Sequence, residues 1–303
     1  MNKPYITHIS FSSGGLKGFC YLGILRYLYL ENMIENIKYI GGTSIGSFFA
    51  FVLGMKIPLD YVEEEILKII HSCVNEHYIS INKKSLSNMF LCNGMYKADF
   101  STGLLKRFLK KEYDVEDITF LEYIKRTGKN IYISCTNIST SRNVVFSAET
   151  HPNLSVLTVV EASMTIPFIF EPTQINGEYY VDGGISNDLI VFDNINKDQY
   201  LGVILCANFD NIQLVEPNKQ IDFFEFTKAT VYTMYCNLMK QSMNKEHKNK
   251  SVLKICDIPY SDGIVFKNID GNLDIDISDE LFENLILKGF IDISNYIHSR
   301  MSI

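Results

Sequence analysis

Apolar positions change their period repeatedly along the chain, and each change marks a predicted element. Residues 6–11 form a short, nearly continuous apolar run, as a buried strand would. After Ser12-Ser13-Gly14-Gly15-Leu16-Lys17-Gly18 the spacing lengthens to Leu22, Leu25 and Leu28, with Tyr21 and Ile24 beside them, which predicts a helix. Residues 36–40 read as a second strand and 47–53 as an apolar, buried helix. Pro58 suits the first turn of a third helix carrying Ile66, Leu67 and Ile70. The pattern weakens over 72–99 into a polar and aromatic mixture, an insertion suited to a lid, a pocket wall or structural filler.

Beyond it, 101–111 is amphipathic, with Leu104, Leu105 and Phe108 on one side and Lys106, Arg107, Lys110 and Lys111 on the other. Strands are predicted at 131–135, 143–146, 179–182 and 202–206, and helices at 156–163, 223–243 and 281–297. Pro167 and Pro172 make 166–172 a rigid, extended connection. Residues 264–277 alternate around Asp270-Gly271 as a hairpin. Strands alternating with helices predict an α/β fold: three layers, with a central, mostly parallel sheet flanked by helices. No repeat or linker divides the 303 residues, so 1–303 is read as a single domain. Its motifs lie within 6–190, and 200–303 completes it.

Composition narrows the function. Hydrophobic residues at 47% and charged residues at 21% are globular values. A net charge of -7 argues against nucleic acid as a partner, because a basic face is its usual footprint. Seven cysteines without a CxxC pair read as reduced core residues, neither a disulfide frame nor a zinc site. The uncharged stretch 39–55 is interrupted by Gly42 and Gly46 and is short for a membrane span, so it reads as strand plus buried helix. No signal-peptide core opens the chain, and a cytoplasmic protein without a transmembrane helix is expected. The basic run 240–250 suits either anionic lipid headgroups or a solvated helix end. Asp270, Asn272, Asp274 and Asp276 fail the EF-hand register, which would place Ile275 at position six and Leu281 at position twelve.

Three motifs carry chemistry. Gly42-Thr43-Ser44-Ile45-Gly46 stands between a strand and a helix, the setting of a nucleophile elbow, where a tight turn exposes the serine hydroxyl. Gly14-Gly15-Leu16-Lys17-Gly18 opens a helix and presents backbone N–H groups to an anion. Neither GxGxxG nor GxxxxGK[ST] is present, and a serine elbow closes the next strand, which favours an oxyanion hole over a nucleotide cradle. The third motif is Asp182-Gly183-Gly184 at the end of a short apolar strand; alone it would read as a surface turn. Cys135 is a conceivable nucleophile, but a cysteine within a strand reads first as core.

In this order and spacing, and with Ala162-Ser163-Met164-Thr165-Ile166-Pro167 ahead of Asp182, the chain resembles the patatin-like phospholipases, serine hydrolases of lipid acyl esters. The resemblance implies a catalytic dyad with Ser44 as nucleophile and Asp182 as its partner. It also implies an oxyanion hole from the amides of Gly14, Gly15 and Leu16, and no metal or other cofactor. The implied substrate is a membrane phospholipid or other lipid ester, met by peripheral contact with the membrane, with an activating protein as a further partner to consider. Ser13 and Asp188 depart from the family pattern. Phe48, Met55, Phe168 and Phe170 are candidates to line an acyl groove, and core packing would account for them equally well. Two rivals remain at this point. One is an α/β-hydrolase with a Ser44-Asp182-His298 triad; the other is a non-catalytic lipid-binding module on the same scaffold.

Overall fold

Strands buried on both faces can be apolar throughout, and their hydrogen-bond partners then fix where each one ends. The computed structural model describes residues 3–76, 87–88, 91–98, 100–206, 251–255, 265–267, 272–274 and 278–301, with isolated positions between 215 and 237. Its strands are β1 (His8–Phe11), β2 (Tyr39–Thr43), β3 (Gly94–Tyr96), β4 (Asn130–Asn137), β5 (Arg142–Phe146) and β6 (Phe168–Phe170). There follow β7 (Thr173–Ile175), β8 (Glu178–Asp182), β9 (Tyr200–Leu205), β10 (Val252–Ile255), β11 (Val265–Lys267) and β12 (Asn272–Asp274). The main sheet has the order β10-β9-β1-β2-β4-β8-β7, with β5 also paired to β4. The five strands from β10 to β4 run parallel, whereas β5, β7 and β8 are antiparallel to their neighbours.

Helices flank this sheet: α1 (Cys20–Leu30), α2 (Ile45–Gly54), α3 (Leu59–Glu76), α4 (Phe100–Tyr113), α5 (Phe120–Thr127), α6 (Val156–Ser163) and α7 (Asp279–Met301). Along β9, Leu201, Val203 and Leu205 join the main core, while Tyr200 and Ile204 pack under Leu189, Phe192 and Ile195. The two-residue period of a strand thus supplies both faces from one apolar run. The chain folds as the mixed α/β architecture with a central, mostly parallel sheet that its sequence pattern predicts.

The strand β4 determines where the chemistry can be. Its residues Asn130–Ser134 pair with β2, ending at Thr43 opposite Ser134. Its residues Cys135–Asn137 pair with β8, and Asp182 stands opposite Cys135. Because β5 occupies the other edge of β4 across both stretches, β2 and β8 share one edge and meet end to end. The residue after Thr43 is therefore delivered to Asp182.

Two elements differ from expectation. The second strand, expected at 36–40, is Tyr39–Thr43 and includes Gly41 and Gly42. Strand pairing needs only backbone groups, and α2 lies so close that a Cβ on Gly42 would stand 2.5 Å from Ser47 Cα. The connection at 166–172 contains β6, which pairs in parallel with β3. The hairpin is present as β11 against β12, although its Asp270-Gly271 turn lies outside the described residues. So do most of the 223–243 helix, the basic run 240–250 and much of the 72–99 insertion. No helix among the described residues is long and apolar enough to cross a membrane.

Candidate active site

The strand β2 ends in a sharp turn, and Ser44 occupies it with φ 54 and ψ -129, a conformation that few non-glycine residues adopt. The turn is held from several sides. The Ser44 amide donates to Ser163 Oγ at 2.8 Å, and Ser47 Oγ donates to the Ser44 carbonyl at 2.6 Å. At Gly46 a Cβ would lie 2.4 Å from the Phe11 carbonyl oxygen and 2.5 Å from that of Ser12, so only glycine lets the elbow close onto β1.

Ser44 Oγ donates directly to Asp182 Oδ2 at 2.5 Å. The other carboxylate oxygen, Asp182 Oδ1, accepts from the Gly184 amide at 2.8 Å. The Asp182 backbone is fixed as well: its amide donates to the Thr165 carbonyl at 2.8 Å, and its carbonyl accepts from Thr136 Oγ1 at 2.8 Å. Ser44 and Asp182 are each 6% exposed, so both groups meet where little water reaches them. Burial pushes the Asp182 carboxyl up to about 6, against the pull of its hydrogen bonds from Ser44 and the Gly184 amide.

The glycine turn sits beside this pair. Gly15 has φ +54, and residues Gly15–Phe19 form a 3-10 turn that runs straight into α1. Within the turn the Lys17 amide is bonded to the Gly14 carbonyl at 3.2 Å. The amides of Gly14, Gly15 and Leu16 have no hydrogen-bond acceptor among the described residues. Gly18 packs against the Ile45 side chain, which fixes the turn against the elbow.

Other sequence candidates fall elsewhere. His298, on α7, is bonded through Nδ1 to the Ser294 carbonyl of its own helix at 2.7 Å, and the direct Ser44–Asp182 bond leaves no histidine between those two groups. Cys135 is buried in β4 with its thiol on the Val159 carbonyl, and burial pushes that thiol well above its ordinary value. It is a core residue. Of the groove candidates, Phe48 on α2 and Met55 just beyond its end belong to the main core and Phe170 on β6 is buried; of the four only Phe168 is exposed, at 45% and φ 68. Among the described residues no group of three His, Cys, Asp or Glu stands where it would hold a metal ion. Sequence reasoning had not assigned a role to Ser163, though it lies in the 162–167 segment singled out above. Nor could it foresee that the two departures, Ser13 and Asp188, bond to one another.

The family model described as patatin-like phospholipase matches residues 9–194. The probable lipid hydrolase 463L of Invertebrate iridescent virus 6 is 28% identical over 187 residues, covering 61% of this chain and 62% of that relative. Protein R571 of Acanthamoeba polyphaga mimivirus is 25% identical across 93% of this chain and 92% of its own length. The lysophospholipase NTE1 of Kluyveromyces lactis is 28% identical over 59% of this chain, but the match spans only 11% of that much longer protein. Among solved structures, VipD of Legionella pneumophila shares the fold with a TM-score of 0.55 at 16% identity, covering 98% of this chain and 67% of its own. ExoU of Pseudomonas aeruginosa, in its heterodimeric complex with SpcU, gives 0.53 at 15% identity, covering 100% and 53%. With a match that takes in the glycine turn, the serine elbow and Asp182, the chain belongs to the patatin-like phospholipase family.

Proposed function

We propose that this protein is a lipid acyl hydrolase of the phospholipase A type, working through an acyl-serine intermediate with Ser44 as nucleophile and Asp182 as base. The observation that carries this reading is the 2.5 Å hydrogen bond from Ser44 Oγ to Asp182 Oδ2 at a strained, buried elbow. A serine hydroxyl attacks an ester only as a base removes its proton. An ordinary aspartate is too acidic to do this well, and a carboxyl raised by burial to about 6 is a stronger base that is still ionised at neutral pH.

Ser44 Oγ attacks the acyl carbonyl while its proton passes to Asp182. The carbonyl oxygen becomes an oxyanion, and this reading assigns its stabilisation to the amides of Gly14, Gly15 and Leu16, whose lack of an acceptor among the described residues supports the assignment. Collapse of this intermediate breaks the ester C–O bond, and the proton on Asp182 leaves with the alcohol or lysolipid. Water then gives a proton to Asp182 and attacks the acyl-serine; as the acyl C–Oγ bond breaks, that proton passes from Asp182 to Ser44 Oγ, the fatty acid leaves and the resting pair is restored. Lipid hydrolase and lysophospholipase, the activities in the relatives' names, share this acyl-ester cleavage, which supports a lipid ester as substrate. Substrate of this kind is presented at a membrane surface and reached by peripheral contact.

Fatty-acid release from mixed phospholipid vesicles in EDTA tests the reading. Wild type and His298→Ala should release fatty acid, whereas Ser44→Ala and Asp182→Asn should lose at least a thousandfold in kcat. Equal activity of Ser44→Ala and wild type would overturn it.

A further inference from the structure

A second buried carboxylate lies against the glycine turn, and the Ser44–Asp182 chemistry does not use it. Asp188 is 3% exposed, and its Oδ1 accepts twice from Ser13: from the amide at 3.1 Å and from the hydroxyl. The Asp188 carbonyl accepts from the same Ser13 amide at 3.4 Å. Asp188 Oδ2 is buried without a hydrogen-bond partner among the described residues. Ser13 directly precedes Gly14, so this clasp ties the start of the glycine turn to the segment that follows Asp182. Its hydroxyl also borders the dyad: a Cβ on Gly184 would lie 2.9 Å from Ser13 Oγ and 3.1 Å from Asp182 Oδ1.

We propose that Asp188 is a positioning residue for the oxyanion turn and that it works as a neutral carboxylic acid, carrying its proton on Oδ2. This rests on the Ser44–Asp182 reading above.

The two Ser13 donors on Oδ1 favour the charged form, whereas burial and the unmet Oδ2 favour the protonated one. A carboxylate would spread half of its charge onto Oδ2, where no donor meets it, and an unpaired buried charge costs far more than one unmet hydroxyl. The charged groups that act on Asp188 are Asp182 at the end of β8, which resists a second negative charge, and Lys17 in the glycine turn, which opposes that resistance. Burial outweighs the two hydrogen bonds from Ser13 and the charge of Lys17, and lifts the Asp188 carboxyl to about 7. An oxyanion forming at the turn adds negative charge to the same enclosed region, so a neutral Asp188 favours the reaction and an ionised one opposes it. The active state of the two carboxylates is then singly ionised, with Asp182 charged and Asp188 neutral. Such a pair titrates as a unit and gives a bell-shaped rate profile.

The test is fatty-acid release from phosphatidylcholine vesicles across pH 5 to 9, where the headgroup keeps its charge. Wild type should lose rate on both sides of its optimum. Asp188→Ala should lower kcat at least tenfold at every pH with KM little changed. Asp188→Asn, which keeps an acceptor for Ser13 and cannot ionise, should recover most of that loss and show no alkaline decline. An alkaline limb that persists in Asp188→Asn, or an Asp188→Ala variant equal to wild type, would overturn the proposal. A dead Ser44→Ala alongside either result would leave the dyad standing and remove only the role of Asp188. Thermal unfolding gives a readout that needs no activity. A raised carboxyl withdraws stability as pH rises through it, so Asp188→Asn should melt a few degrees above wild type at pH 8 and level with it at pH 4. Parallel melting curves across that range would sink the proposal independently of the rates.

Discussion

The Ser44 amide and the Ser163 hydroxyl form a 2.8 Å hydrogen bond across 119 positions of chain. Ser163 passes the restraint on by donating to the Ser134 carbonyl at 2.7 Å, so one buried hydroxyl on α6 anchors the elbow to β4. Replacement by alanine leaves the buried Ser44 amide without its acceptor. Ser163→Ala should therefore lose about 1–3 kcal/mol in urea unfolding. It should also lower kcat more than it raises KM, because the strained turn at Ser44 loses a restraint while the lipid contacts stay.

Asp182 should make the protein more active and less stable over the same pH interval. Its carboxyl lies at about 6 in the folded chain against an ordinary 3.8, so the folded state holds the proton more tightly than the unfolded. The associated stability is full below the ordinary value and is lost as pH rises through about 6. Activity runs the other way, since only the ionised carboxylate is a base, and the acid limb of the rate profile should fall near pH 6. Asp182→Asn should thus be inactive yet roughly 1–3 kcal/mol more stable than wild type at pH 8, with the gain absent at pH 4. Denaturant titrations at the two pH values measure the difference directly.

Gly46 should tolerate no side chain. A Cβ there would meet two backbone carbonyl oxygens, those of Phe11 and Ser12, neither of which can swing aside as a flexible side chain would. Gly46→Ala is expected to cost about 1–3 kcal/mol, the usual range for overpacking, and to displace Ser44 from β1. Circular dichroism melts together with fatty-acid release would show both effects; unchanged values in both would mean that the elbow can relax.

Gly15 has room for a Cβ but a left-handed backbone. Gly15→Ala should cost only about 1 kcal/mol in folding, from conformational strain. Alanine keeps the N–H, but if the turn relaxes out of the left-handed region and carries that amide away from the oxyanion, kcat should fall by roughly 100-fold or more, a loss out of proportion to the change in stability. Parallel measurement of the two quantities separates a catalytic role from a structural one.

Local pattern made most of this legible. The helix at 156–163 coincides with α6, and the apolar runs mark β1, β4 and β9 to within a few residues. The serine elbow, the glycine turn and Asp182-Gly183-Gly184 were visible because each needs a particular residue at a particular step of a turn. Less legible was the extension of β2 through Gly41 and Gly42, since glycine carries no side-chain pattern and only pairing to β1 and β4 makes those residues a strand. Ser163 and the Ser13–Asp188 clasp were hidden for a different reason. A serine or aspartate in a helix or loop looks solvent-facing until tertiary contacts bury it. Phe48 and Met55 illustrate the converse: apolar residues near a nucleophile suggest a groove, and the packing of α2 and the residue after it uses them as core.

The use of β4 as the common edge for β2 and β8 also has a consequence during synthesis. The chain leaves the ribosome with its elbow first, and Ser44 is exposed well before Asp182 has been made. During that interval the serine has no base, and the edge that will align the two strands has not received its second partner. On the Ser44–Asp182 reading, a growing or truncated chain that stops short of β8 should release no fatty acid, because the nucleophile is made before its base.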